Sequence, residues 1–451
     1  MRKISLIGFV MLIVSIPTFA GGLLTNTNQH VSFLRMLARG ASIDIDGVYS
    51  NPAGLAFLPG DGLYLSLNGQ SAYQTRNINM TFPLFEKENN FQRYYKGKAS
   101  APFIPSFQAA YKKGDWTISG SFAVVGGGGK ASFDNGLGMF DALVMGGLAN
   151  NEKLQNLQGA LGYPAVSDLY TLNSAMDGRQ FIYGVQLGLS YQVNDWLAVF
   201  AGGRMNYFSG GYEGFLTTTG KNDLPGIGGQ ELAAIELDCD QTGWGLTPII
   251  GADVKLGKWN VGLKYEFMTN LNLENKTRKA IVRTNGVEMP DNDQNPLASF
   301  KDGVNTPNDI PALLTAAVGY HILPTLRATV EYHHFFDKSA GMAGGKQHAL
   351  KHGTHEFLVG TEWDVTKQLT ISGGYQRTDY GLSDDFQSDI SFSCDSYSLG
   401  FGAAVKMTKH LTMNVAYFWT TYDDYDKVTA ISKTTYSRTN KVFGLGVDYK
   451  F

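Results

Sequence analysis

Apolar and polar residues alternate along the chain from residue 63 onward, with a period of two rather than the 3.6 of a helix. In residues 181–192 every odd position is Phe, Tyr, Val or Leu, and most positions between them are Gly, Ser or Gln. Residues 259–267 and 397–406 repeat the pattern. Successive side chains of a strand point to opposite faces. Each segment therefore predicts a strand with one apolar face and one small, polar or charged face.

The pattern predicts fourteen strands. They span residues 63–74, 105–112, 116–126, 181–192, 197–209, 243–256, 259–271, 311–321, 326–336, 355–364, 369–378, 396–407, 411–422 and 441–451. The connections between them alternate in length. Short turns such as Lys113-Gly114-Asp115 alternate with long loops over residues 75–104, 127–180, 210–242, 272–310, 337–354, 379–395 and 423–440.

If the apolar face of these strands contacts lipid, the polar face must point away from it, into the lumen of a barrel. An even strand count, short turns on one side and long loops on the other are typical of outer-membrane barrels. Backbone that crosses lipid must satisfy all its hydrogen bonds, so the sheet has to close. We predict an all-β fold: a 14-stranded antiparallel transmembrane β-barrel over residues 63–451, with both termini on the periplasmic side. The final strand ends on Phe451, the aromatic carboxy-terminus that the barrel-assembly machinery reads.

Composition agrees with this prediction. Charged residues make up 17% of the chain, against roughly 25% in a typical globular domain, while 23 Tyr and 27 Phe supply aromatic residues. The net charge of −3 is too small to argue for a nucleic-acid partner. The amino terminus reads as a secretory signal peptide over residues 1–20, with Arg2 and Lys3, an apolar run and a small-x-small end at Thr18-Phe19-Ala20. The alternative, a membrane anchor, needs about 20 apolar residues, and this run is shorter.

Residues 21–62 lack the strand alternation and carry a different motif. A small-residue segment, Ala38-Arg39-Gly40-Ala41-Ser42, precedes an acidic pair and an Asn-Pro-Ala-Gly-Leu run. This region resembles the amino-terminal plug of the long-chain fatty-acid transporter (FadL) family. The residues that match the plug motif, and to which the resemblance gives a gating role, are Asp44, Asp46, Asn51, Pro52, Ala53 and Gly54.

The resemblance implies a function as well as a fold. Family members pass long-chain fatty acids or other hydrophobic small molecules inward without energy input. The cargo lodges among the outer loops, moves to a pocket above the plug and leaves through a kink in the wall. The partners implied are a hydrophobic ligand and outer-membrane lipid, for a monomer without a cofactor. Two other classes remain open: a diffusion porin, against which the plug argues, and an outer-membrane lipase or protease barrel. The sequence has no Gly-x-Ser-x-Gly elbow for an enzyme.

The second long loop holds a candidate ligand groove. Its apolar residues at helical spacing are Met139, Phe140, Leu143, Val144, Met145 and Leu148. Flexible thioethers fill irregular apolar sites, which favours a ligand groove. The alternative is a helix that packs its apolar face on the barrel rim, and both can hold together.

A run of four glycines ends the predicted third strand. Gly126, Gly127, Gly128 and Gly129 mark either a bulge in the wall, and hence the family's lateral opening, or a flexible start to the long loop.

Charged residues on the inward face offer either paired charges or a contact for a ligand carboxylate. For the second role Arg204 and Arg327 are the candidates, because a guanidinium binds a carboxylate bidentately. We predict no metal site: His333 and His334 must face opposite sides of their strand, and His352 and His355 lack a ligand partner at metal spacing. Cys239 and Cys394 are expected in the third and sixth long loops, either bridged or free.

Overall fold

The computed structural model describes residue 23, residues 29–290, residue 292 and residues 295–451. The predicted signal peptide, residues 1–20, lies outside the described residues. Three short α-helices occur in the described chain: α1 (Val31–Arg35), α2 (Gly138–Ala149) and α3 (Glu152–Leu161). No helix in this part of the chain combines the length and the apolar character needed to cross a bilayer.

Strands dominate the molecule. They are β1 (Gly62–Thr81), β2 (Gln92–Lys113), β3 (Trp116–Phe133), β4 (Tyr170–Gln192), β5 (Leu197–Gly220), β6 (Glu231–Leu256), β7 (Trp259–Glu266), β8 (Asn272–Thr284), β9 (Val287–Glu288), β10 (Asn305–Pro307), β11 (Leu313–Leu323), β12 (Leu326–Phe335), β13 (His355–Asp364), β14 (Leu369–Asp379), β15 (Ser396–Lys406), β16 (Leu411–Tyr422), β17 (Tyr425–Val428) and β18 (Lys433–Lys450).

These strands form one antiparallel sheet that closes on itself. Strand β1 pairs with β2 on one side and with β18 on the other. The pairing of β1 with β18 closes the barrel and runs from Tyr64 opposite Lys450 to Thr81 opposite Lys433. Strands β8, β9, β10 and β17 extend the wall locally, and the remaining fourteen make the full circuit. The predicted 14-stranded antiparallel barrel is therefore confirmed.

The two faces of the wall differ as the alternation predicts. In β4 the side chains of Val185, Leu187 and Leu189 are exposed on the outside, whereas Gln186 and Ser190 are buried inside. The same division holds for charge, because Arg204 and Glu266 are both buried within the lumen. An apolar outer belt around a polar lumen is the arrangement that a lipid bilayer requires.

The plug lies inside the barrel, as the resemblance implies. Helix α1 packs against β15, β16 and β18, and a 3₁₀ turn at Pro52–Phe57 packs against β4, β5 and β6 on the opposite wall. Val31, Leu34 and Leu37 are buried against Phe418 and Val442 of the wall. Residues 29–58 thus span the lumen from wall to wall. The exact bounds of the plug, 21–62, stay a prediction.

Several strands run further than the alternation predicts. Strands β1 to β6 continue well into the first three predicted loops, where β5 reaches Gly220 and β6 begins at Glu231. Beyond the lipid the outer face of a strand meets water and no longer has to be apolar, so the lipid-facing pattern ends, while inner residues such as Ile235 and Leu237 are buried under the long loops. Cys239 consequently lies within β6, and its prediction as a loop residue is wrong. Cys394 does lie in a loop, between β14 and β15, and both thiols are free.

Candidate ligand pocket and wall opening

The wall of the barrel is interrupted between β2 and β3. Pairing runs from Lys113 opposite Trp116 to Ser106 opposite Ala123, and resumes only at Ser100 opposite Lys130. Within these two described strands, residues 101–105 and 124–129 have no partner across the β2–β3 interface. The flanking ladders, β1–β2 and β3–β4, hold each strand in place beside the gap.

Residue chemistry on both strands explains the gap. On β2, Pro102 and Pro105 lack the N–H group that a ladder requires. On β3, Gly127 and Gly129 have φ angles of +102° and +74°, which favour glycine. A Cβ atom at Gly127 would lie 2.2 Å from the carbonyl oxygen of Gln180 on β4. The prolines of β2 and the glycines of β3 therefore account for the missing hydrogen bonds between these two strands.

An apolar pocket lies directly inside this part of the wall. The cavity has a volume of about 70 Å³, and it reaches the wall at Gly129 and Gln180. Its other lining residues are Arg76, Ala131, Phe133, Leu137, Met176, Gly178, Arg179, Tyr212 and Ile390. A second apolar cavity of about 20 Å³ shares Leu137 and Met176 with the first and is also lined by Phe140. Together they trace a path from α2 to the unpaired stretch of β3.

The predicted groove helix exists as α2, and it is more deeply packed than a surface groove. Val144, Met145 and Leu148 are buried in the large apolar cluster under the long loops. Met139 and Phe140 pack against that cluster, and Leu143 is half-buried. The backbone N–H of Met139 donates to the Asp389 carboxylate at 2.7 Å, which fixes the start of the helix against the β14–β15 loop. Phe140 lines the second of the two apolar cavities.

The plug motif is held by polar contacts with itself and with the wall. Asn51 donates to the Asp253 carboxylate of β6 at 2.6 Å and to the carbonyl oxygen of Ser42 at 3.2 Å. The backbone N–H of Gly54 donates to the Asn51 side chain at 3.4 Å, which closes the turn that Pro52 begins. Ser190 of β4 donates to the carbonyl oxygen of Pro52 at 2.6 Å, and Ala53 packs on Phe200 and Ile249.

The acidic pair divides into two roles. The Asp46 carboxylate accepts two hydrogen bonds of 2.7 Å from Arg39. Burial opposes ionisation of Asp46, but the Arg39 guanidinium outweighs it and holds the pKa of that carboxyl below its ordinary value. Asp44 instead caps a 3₁₀ turn by accepting from the Ile45 N–H at 2.8 Å. These contacts stabilise the plug, and a gating role for the motif stays a prediction.

Arg204 and Arg327, the candidates for a ligand carboxylate, both contact carboxylates of the protein. Arg204 pairs with Glu266, which also accepts from Lys264. Arg327 donates to Glu362 at 2.8 Å and to Asp364 at 3.0 Å. The geometry favours the alternative of a lumenal network of paired charges. A ligand contact at either residue stays a prediction.

His333 and His334 point to opposite faces of β12, as predicted for adjacent residues of a strand. His333 points inward, between Glu331 at 2.6 Å and Glu356 at 2.8 Å. His334 packs on the opposite face against His355, with a ring-centroid distance of 4.6 Å. In the described part of the chain no group of three or more His, Cys, Asp or Glu side chains is arranged to hold a metal ion.

Sequence reasoning missed two features of this region. The unpaired stretch of β2 extends beyond the strand predicted to begin at residue 105, although Pro102 and Pro105 were a usable signal, because proline inside a sheet is confined to edges and bulges. The pocket residue Arg76 fell in a segment predicted to be a loop.

No protein-family model matches the sequence, and no curated protein matches it. Solved structures do match the fold. A FadL homologue from Pseudomonas aeruginosa superposes with a TM-score of 0.64 at 16% identity, over 95% of this chain and all of that one. The toluene transporter TodX of Pseudomonas putida gives 0.59 at 15% identity, over 95% and 99% of the two chains. The toluene transporter TbuX of Ralstonia pickettii gives 0.54 at 15% identity, over 91% and 94%. The chain therefore has the fold of these barrels.

Proposed function

We propose that this protein is an outer-membrane channel for the passive uptake of hydrophobic small molecules. One observation carries the proposal: an apolar pocket inside the barrel abuts a stretch of wall that lacks cross-strand pairing. A closed wall would force the cargo through the lumen, whereas an unpaired stretch offers a sideways exit into lipid. The barrels with the same fold support this function, since they include a FadL homologue and a toluene transporter.

The route begins at the long loops. A hydrophobic molecule would enter beside α2, pass along Phe140 and Leu137, and reach the pocket beside Gly129. The plug below the pocket blocks continued passage to the periplasm, because residues 29–58 cross the lumen. The exit left is the gap between β2 and β3. No step of this route needs a cofactor.

The orientation in the membrane is also part of the proposal. The start of β1 and the end of β18 lie side by side, at the end of the barrel that carries the short turns. Short turns face the periplasm in outer-membrane barrels, so both termini would be periplasmic. A monomer, folded into lipid by the barrel-assembly machinery, suffices for this route.

The test is a substitution at the gap. Gly127→Ala adds a Cβ atom that meets the carbonyl oxygen of Gln180 on a backbone with positive φ, so β3 must leave its present conformation. We expect uptake of a fluorescent hydrophobic probe by proteoliposomes to fall about tenfold, since backbone strain of this kind costs about 1–3 kcal/mol and about 1.4 kcal/mol added to a barrier slows a rate tenfold. The barrel itself should still migrate as a heat-resistant band on a gel.

The matched control is Gly159→Ala in α3, where an added Cβ meets nothing within 4 Å. It should transport like the wild type. Uptake by Gly127→Ala at the wild-type rate, or a steady ion current through the unmodified protein, would remove the lateral route and leave a porin as the better account.

A further inference from the structure

The wall parts a second time, nearer the long loops than the gap described above. Strand β2 pairs with β3 only as far as Gly97 opposite Phe133, and β3 pairs with β4 only as far as Phe133 opposite Met176. In the described strands, residues 92–96 of β2 therefore pair with β1 alone, and residues 170–175 of β4 pair with β5 alone. A cleft of about 950 Å³ lies between these two strand ends, large enough for a small-molecule ligand.

A buried carboxylate ties the two sides of this cleft together. Asp141 of α2 is only 1% exposed. From β2, the Arg93 guanidinium and the Tyr95 hydroxyl each donate to it at 2.8 Å. From β4, the Ser174 hydroxyl donates to its other oxygen at 3.3 Å. Hydrogen bonds to a buried charged group are costly to break, so the cleft is a stable feature of the structure.

Amide side chains dominate the surface of the cleft. Six exposed amides line it: Asn79, Asn89, Asn90, Gln92, Asn135 and Asn173. Within the part of the chain that the structure describes, none of these six side chains is hydrogen-bonded to another group of the protein. Each amide offers two N–H donors and one carbonyl acceptor. The cleft therefore presents a dense set of uncharged donors and acceptors to a ligand.

The charges at the cleft disfavour an anionic ligand. Three carboxylates line it, those of Glu86, Glu88 and Asp141. They face one guanidinium, that of Arg93, which already pairs with Glu86 and Asp141. Tyr94 lines the same cleft and is 54% exposed, so its ring offers an apolar face with a polar tip. The ligand that fits is uncharged, rich in hydroxyl groups and apolar on one flat side.

We propose that this cleft binds a neutral saccharide. The hydroxyl groups of a sugar both donate and accept, as the amides do, and the C–H face of its ring can stack on Tyr94. The inference is independent of the hydrophobic route, because the cleft shares no lining residue with the apolar pocket beside Gly129. Two sources carry this chemistry: a free oligosaccharide, and the head group of a glycolipid beside the barrel.

The test is a binding measurement on the purified full-length barrel. An amine-oxide detergent is used, because a detergent with a sugar head group would compete. The probes are neutral trisaccharides of glucose, mannose and galactose, with sialyllactose as the anionic comparison. We expect at least one neutral trisaccharide to bind at least about tenfold more tightly than sialyllactose.

Two substitutions locate the binding site. Asn173→Ala removes an amide and Tyr94→Ala removes the ring, and each should weaken binding of the neutral trisaccharide about tenfold. Both should leave uptake of a hydrophobic probe at the wild-type rate. The matched control is Asn222→Ala, because Asn222 is an exposed amide in the loop between β5 and β6 that does not line the cleft. It should bind the trisaccharide like the wild type.

A second arm separates the two sources of the sugar. The barrel is placed in phosphatidylcholine vesicles with and without digalactosyl-diacylglycerol. Loss of trisaccharide binding in the presence of this glycolipid assigns the cleft to lipid head groups, and unchanged binding assigns it to free saccharides. Failure of the wild type to bind any neutral trisaccharide, sialyllactose bound equally tightly, or binding that survives both Asn173→Ala and Tyr94→Ala overturns the inference. Each of these results leaves the proposed channel standing.

Discussion

At the scale of single residues, charged side chains in the lumen divide by whether a carboxylate reaches them. Arg39 and Arg204 belong to networks that tie the plug together or line the wall. Arg76 and Arg438 have no such partner among the described residues. A paired buried charge is structural, because its field is cancelled locally.

At Asn51 the contact between plug and wall can be weakened without breaking the backbone ladder of the wall. In Asn51→Ala the buried Asp253 carboxylate loses one of its two side-chain hydrogen bonds and keeps the one from Asn260, and a lost hydrogen bond to a charged group costs about 1.5–3 kcal/mol. We expect faster hydrogen exchange in residues 29–58 and a changed rate of hydrophobic-ligand uptake, with heat-resistant gel migration unaltered.

Asn305→Ala is the control for this change, because Asn305, the first residue of β10, is exposed and its side chain donates to the carbonyl oxygen of Gly303 at 3.3 Å, away from the plug. It should leave both exchange and uptake unaltered. Wild-type exchange and uptake in Asn51→Ala, or a barrel that fails to assemble, would show that the motif has no part in gating.

At the scale of elements, the β14–β15 loop is the clearest departure from an exposed outer loop. Phe386 and Phe392 are fully buried, and Phe392 stacks on Tyr436 with a ring-centroid distance of 4.7 Å. Its Asp389 fixes the start of α2 at the same time. The loop therefore folds back into the mouth of the barrel and joins the two sides of the pocket region.

This inward packing predicts the chemistry of Cys394. Burial raises the pKa of its thiol to about 12, against the opposing effect of the Arg438 and Arg76 charges. Because the thiolate is the reactive form, the thiol should resist a maleimide reagent at pH 7.5 in the folded barrel and react once the protein is unfolded.

Mass spectrometry after labelling gives the measurement. An added thiol at the exposed position Asn222, in Asn222→Cys, should react at once and serves as the control. Rapid labelling of Cys394 in the folded protein, or a mass that shows Cys239 and Cys394 bridged, would contradict the packing of this loop.

At the scale of the whole molecule, the wall and the plug have different structural roles. Outside the gap between β2 and β3, the wall satisfies its backbone through a closed ladder, which does not depend on what fills the lumen. The plug fills the lumen and contacts opposite walls through α1 and the turn at Pro52–Phe57. Arg35 links it to Glu362 at 2.5 Å, and Glu331 accepts from the Gly40 N–H at 2.7 Å.

Deletion of residues 29–58 should therefore open a pore without unfolding the barrel. Water would hydrate Glu331 and Glu362 once the plug is gone, so the wall keeps its ladder. In planar bilayers we expect a steady ion current from the deletion variant and almost none from the intact protein. An equal current from both proteins would mean that the plug does not seal the lumen.

The amino-acid sequence alone determined the wall and the place of the plug. Alternation is a local property that survives in every lipid-facing segment, so it predicts the strand number and the two faces of the wall. The break in alternation before residue 63, together with the resemblance to the FadL plug, predicted a plug there. Where lipid no longer constrains the outer face, as in β5 and β6 above the membrane, that signal ends and the strand bounds were missed.

Only the tertiary structure decided the site. Whether an arginine is paired depends on register and on barrel closure, which bring Arg76 and Arg438 together from opposite ends of the chain. The wall gap likewise depends on Pro102 and Pro105 lying opposite Gly127 and Gly129 of the neighbouring strand. The pocket arises where this gap, α2 and the β14–β15 loop converge. The periodicity of a sequence describes each strand separately, so it does not predict which residues of different strands and loops come into contact.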